Sequence, residues 1–74
     1  MVERRKVLQM CQLNSVSNRS VGVIYNGSLY YPKKIIIWFD ANGKTMNTAV
    51  MECAVSKSIL NARIEDLEEI KNDG

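Results

Sequence analysis

The chain has 74 residues, a formal net charge of +2, no histidine and two cysteines, Cys11 and Cys53. That length allows one core and no second domain, so residues 1–74 are expected to form a single small domain, one that buries only about 60% of the surface its unfolded chain exposes. The lack of histidine excludes Ser-His and Cys-His nucleophile pairs and an ordinary zinc site within one chain.

Two cysteines make no disulfide framework and are read as small buried hydrophobes. No apolar run approaches the ~18–20 residues that span a bilayer. The N-terminal stretch lacks the apolar core region and cleavage site of a secretory signal, so a cytoplasmic location is expected. Charge is uneven: seven Lys/Arg against two acidic residues through Lys44, then three against six. This division suits polyanion binding, but it is also a common way to spread charge for solubility, and the second reading is preferred.

In chain order, residues 6–14 carry two patterns. Val7, Cys11 and Leu13 alternate as in a strand, while Val7, Met10 and Cys11 would line a helix. Arg4, Arg5 and Lys6 oppose the positive end of a helix dipole, which favours the strand. Asn14 to Ser20 is polar and reads as a loop.

A hairpin follows. Asn26-Gly27 between β-prone runs signals a two-residue turn, placing Tyr25 opposite Ser28, Ile24 opposite Leu29 and Val23 opposite Tyr30. Pro32 cannot donate to a ladder and is expected to end that strand. Asn42-Gly43 signals a second hairpin in I-I-I-W-F-D-A-N-G-K-T-M-N-T-A-V. A two-residue turn puts Phe39 opposite Met46 and Ile37 opposite Thr48, and a four-residue D-A-N-G loop is expected to keep the same pairing. One face then collects Ile35, Ile37, Phe39, Met46, Thr48 and Val50 as the core face. The other carries Ile36, Trp38, Asp40, Thr45, Asn47, Ala49 and Met51. Trp38 is either covered core or an exposed binding residue.

Near the C-terminus Leu60, Ile64, Leu67 and Ile70 recur at helical spacing among Glu65, Asp66, Glu68 and Glu69. With Asn61 as its N-cap, this reads as an amphipathic helix lying on the sheet, and residues 72–74 are expected to fray. The expected fold is α+β: an antiparallel β-meander of four to five strands, built from two Asn-Gly hairpins and packed by a C-terminal amphipathic helix. The alternative turns the tail into a last short strand and a turn, giving a small SH3-like β-barrel.

The tail carboxylates cluster on a solvated face, not in a cleft that would separate their pKa values. D-A-N-G-K-T lacks both the spaced ligands of a calcium loop and the upstream glycine of a phosphate loop. No enzyme activity, cofactor or metal is therefore expected. The function expected is non-enzymatic protein binding through Trp38, Ile36, Met51 and Tyr31, with a homodimer open. The alternative is nucleic-acid binding by Arg19, Tyr25, Tyr30, Lys33, Lys34 and Trp38, with bases stacking on rings and cations holding phosphates.

Overall fold

The computed structural model describes residues 2–16 and 21–70. Helix α1 (Arg4–Val16) is followed by strands β1 (Val23–Tyr25), β2 (Ser28–Phe39), β3 (Thr45–Cys53) and β4 (Ile59–Arg63), then a 3-10 turn at Ile64–Asp66. The strands form one antiparallel sheet in the order β1-β2-β3-β4, curled into a half-barrel. Past the 3-10 turn the chain returns to the far side of β1, where Ile24 and Glu68 exchange two backbone hydrogen bonds of 2.9 Å. The core lies inside this curl, built from Val2, Val7, Cys11, Val23, Ala49, Met51, Ala62, Ile64 and Leu67.

Residues 6–14 are helical, not extended, and the helix takes in Asn14 to Val16 of the expected loop. The remaining loop residues, 17–20, lie outside the described residues. Val7 and Cys11 are buried one turn apart, with Met10 packed beside them. An uncomplemented dipole costs about 0.3–1 kcal/mol, whereas burying one valine contributes about 1.5–3 kcal/mol. Burial wins. The amides of Lys6 and Val7 donate to the Glu3 carbonyl and close the first turn.

The first hairpin turns through Asn26 and Gly27, both at positive φ (51° and 77°), with Tyr25 opposite Ser28 and Val23 opposite Tyr30. β2 does not end at Pro32. It runs on to Phe39, with Pro32 buried opposite Met51 and a register shift between Pro32 and Lys34. The proline is tolerated because its backbone faces away from β3, where the Asn14 side chain stands in for a strand. Asn14 Nδ2 donates to Val21 O at 3.0 Å and Pro32 O at 2.7 Å, and its Oδ1 accepts from Val21 N at 2.8 Å. One amide thereby replaces a ladder rung that proline cannot complete, and it fastens the last turn of α1 to the sheet.

The second hairpin differs from the two-residue turn by one position. Asp40 N–H donates to Lys44 O, Gly43 N–H donates to Asp40 O, and Gly43 sits at φ 79°. This is a three-residue loop with a left-handed glycine at its end. Asp40 Oδ1 also accepts the amides of Asn42 and Lys44, both at 2.9 Å. Phe39 therefore pairs with Thr45, Trp38 with Met46 and Ile36 with Thr48. A slip of one residue moves every β3 side chain to the opposite face relative to β2. Ala49 and Met51 point inward, fully buried, alongside Ile35; Met46, Thr48 and Val50 join Ile36 and Trp38 outside.

Among the described residues the expected C-terminal helix is replaced by a strand and a 3-10 turn. Ile59–Arg63 pairs with β3 between Thr48 and Glu52, so Asn61 is an exposed strand residue and not a helix cap. Leu60, Ala62 and Ile64 alternate inward along this segment, a period of two hidden beneath the helical spacing. The residues expected to fray, 72–74, lie outside the described residues.

Asn14→Ala should strand the Val21 and Pro32 backbone groups in a half-buried site and destabilise the chain by about 2–3 kcal/mol. In thermal unfolding followed by circular dichroism, the midpoint is expected to fall by about 10–20 °C.

Candidate functional site

The outer end of β2 carries four consecutive exposed apolar residues. Ile36, Ile37, Trp38 and Phe39 keep 41%, 48%, 52% and 67% of their surfaces in water. Ile36 and Trp38 are exposed because they lie on the outer face of the sheet; for Ile37 and Phe39, on the core face, the cause is a mismatch of lengths. A 13-residue helix reaches about 20 Å, whereas a 12-residue strand reaches about 40 Å. The helix spans from Pro32, held by Asn14, to Asn47, whose Oδ1 accepts from Arg4 Nε at 3.1 Å. Beyond that point the helix no longer covers β2, and among the described residues only the segment before α1 and the end of β4 flank the turn.

Trp38 sits on the outer face and Phe39 on the face that continues the core. The indole is not loose: Nε1 donates to Thr48 Oγ1 at 2.8 Å, diagonally across the pair Trp38–Met46. That bond explains why Thr48 is buried although its strand position faces outward. The ring is thus pinned with its polar atom satisfied and half its apolar area free.

The structure gathers some of the residues singled out in the sequence and separates others. Tyr31 lies on the outer face with Ile36 and Trp38, opposite Glu52 and nearer the other end of β2. Met51 does not join them. It is fully buried on the core face, because the register differs by one residue. Of the nucleic-acid set, Lys33 and Lys34 are exposed, but Tyr25 and Tyr30 pack against the core. Those two rings meet edge to face, with centroids 6.1 Å apart and planes at 73°. Arg19 lies outside the described residues. Phe39 and Ile37, assigned to the core from alternation alone, are instead part of the exposed surface.

A groove of about 480 Å³ opens beside the Asp40 turn, between the start of α1 and the end of β4. Arg4, Lys44 and Arg63 line it together with Glu3, Asp40 and Glu65, and Arg63 pairs with Glu65 at 3.4 Å. The opposed charges give it no selective field for an ion of either sign. Among the described residues no three His, Cys, Asp or Glu side chains lie together as a group that could hold a metal ion. Among them, too, no helix is long and apolar enough to cross a membrane.

The two cysteines shift in opposite directions. Burial pushes the Cys11 thiol up from its ordinary range. Cys53, half-buried at the β3–β4 turn, is drawn down chiefly by hydrogen bonds from the Ser56 hydroxyl and the Ser56 and Val55 amides.

Comparison with protein-family models, curated protein sequences and solved structures finds no match to this chain.

The geometry sets two measurable expectations. Thr48→Val removes the acceptor of the indole N–H; Trp38 emission should shift to the red, with a stability loss of about 0.5–1.5 kcal/mol. Only the thiolate attacks an alkylating agent, so the lowered pKa makes Cys53 the faster thiol at neutral pH. Its rate–pH midpoint should fall below that of an unperturbed thiol. Cys11 should react only at the rate of global unfolding, read by mass spectrometry of iodoacetamide-treated protein.

Proposed function

We propose that this chain is a non-enzymatic protein-binding module whose contact surface is the projecting end of the β2–β3 hairpin, centred on Trp38 and Ile36. The observation that carries this reading is the pinned, half-exposed indole beside three exposed apolar neighbours. Interfaces concentrate their energy in a few aromatic anchors, and an anchor already held in place loses less entropy on docking. Tyr31, farther along the same face, extends the surface, and Met51 has no part in it. The curled sheet and the Ile24–Glu68 bridge support reading the fold as a small SH3-like barrel, a scaffold from which the hairpin projects.

Peptides selected from a random display library on the immobilised chain test this reading. Their affinity should fall at least about tenfold with Trp38→Ser, and it should change little between low and high salt. The double variant Lys33→Ala, Lys34→Ala should leave it intact. Binding indifferent to Trp38 would refute the assignment. So would oligonucleotide binding that weakens steeply as salt rises, the mark of counterion release.

A further inference from the structure

The same hairpin has a backbone edge that no strand among the described residues pairs with. Asp40 donates to Lys44 across the turn, so the ladder's alternation turns the backbone groups of Trp38, Ile36 and Lys34 toward β3. Those of Ile35, Ile37 and Phe39 face the other way. On that side β1 pairs no farther along β2 than Tyr30, and the Asn14 amide accounts for Pro32. Past Pro32, no strand among the described residues covers this edge. It is apolar from Ile35 to Phe39 and bounded by Lys34 and Asp40. An exposed apolar edge of this kind is a template for another strand.

We propose that the strand which pairs there is β2 of a second copy of this chain, running antiparallel about a two-fold axis through Ile37. This rests on the protein-binding reading and names the partner. The parity of the edge groups requires that odd-numbered residues pair with odd-numbered ones. Among the registers so allowed, the one that pairs Ile37 with its own mate has two further properties. It sets Lys34 of each copy opposite Asp40 of the other, closing both ends of the seam with opposite charges. It also sets Ile36 opposite Trp38 and Ile35 opposite Phe39, the aromatic–β-branched pairs that stabilise strand contacts. Shifting by one allowed step in either direction breaks the charge match and sets Lys34 against Trp38 or Asp40 against Ile36. The two sheets join into one, and Ile36 and Trp38 of both copies form a single outer patch.

Sedimentation velocity from micromolar to sub-millimolar concentration should show a monomer–dimer equilibrium. Ile37→Pro removes only an amide directed at the seam, so it should raise the dimer dissociation constant about a hundredfold while the monomer keeps its circular dichroism spectrum. Lys34→Glu should weaken the dimer about tenfold by facing Asp40 with a like charge. Adding Asp40→Asn, which keeps the turn's acceptor oxygen, should recover most of that loss. In a Cys53→Ser background, Ile37→Cys should cross-link to its own mate under mild oxidation, since paired Cα atoms lie ~5.5 Å apart. Ile35→Cys, whose mate is Phe39, should not. A monomer at every concentration overturns the dimer, as does faster cross-linking by Ile35→Cys than by Ile37→Cys. Should that monomer still bind the Trp38-dependent peptides, the self-pairing alone fails; if it binds none, the binding surface fails with it.

Discussion

A single carboxylate oxygen fixes the register on which the rest of the sheet depends. Asp40 Oδ1 takes the amides of Asn42 and Lys44 and so holds the chain in a three-residue loop. Had the hairpin closed one residue tighter, Met46, Thr48 and Val50 would face the core, and Ala49 and Met51 would lie outside. Ala49 and Met51 are instead fully buried in the core, and the flexible Met51 packs opposite Pro32. Thr48, turned outward, is then at the right diagonal to receive the indole of Trp38. Core composition and the posture of the exposed tryptophan both follow from that loop.

Much of the β2–β3 ribbon was legible because its signals were local. The Asn-Gly dipeptides marked both reversals, and strand alternation put Trp38 and Phe39 on opposite faces regardless of register. The register itself was not legible, since Asp40 and Asn42-Gly43 support loops of either length, and only the burial of Ala49 and Met51 chooses between them. The tail misled for a related reason. Leu60, Ile64 and Leu67 fit a helical stripe, yet Leu60, Ala62 and Ile64 fit a strand equally, and an unpaired β3 edge was available to reward the strand. A short helix standing alone is marginal, whereas a strand docking on a formed hairpin gains ladder bonds at once. At the N-terminus the basic first turn argued correctly that a helix there would be electrostatically poor. It was outweighed by the buried stripe of Val7 and Cys11, with Asn14 two turns beyond Val7. No local feature announces that Asn14 completes a broken rung between Val21 and Pro32; that role exists only once the fold has formed.

The exposed apolar surface has a geometric origin that composition could not reveal. The chain has enough hydrophobic residues for a core, but β2 is about twice as long as the helix that covers it. The surplus emerges at one end as Ile37 and Phe39, next to Ile36 and Trp38 on the outer face. A globular chain of this size would ordinarily shorten the hairpin or place polar residues at its tip. Here the tip carries Asp40, Asn42 and Lys44, and Lys33 and Lys34 guard the other end, while the segment between them carries no charge.

That distribution separates controlled association from mere stickiness. Charged residues flanking an apolar strand act against indiscriminate stacking, because most alignments bury a lysine or an aspartate against apolar side chains. They do not forbid every alignment. In the proposed pairing, which joins Lys34 to Asp40, that penalty is relieved, so the residues that block disordered growth would also select a closed pair. A two-fold pair also consumes the edge that created it, leaving no further strand to extend. In a chain whose core is small, burying the projecting end of β2 against a like surface would add apolar contact that the single copy cannot supply for itself.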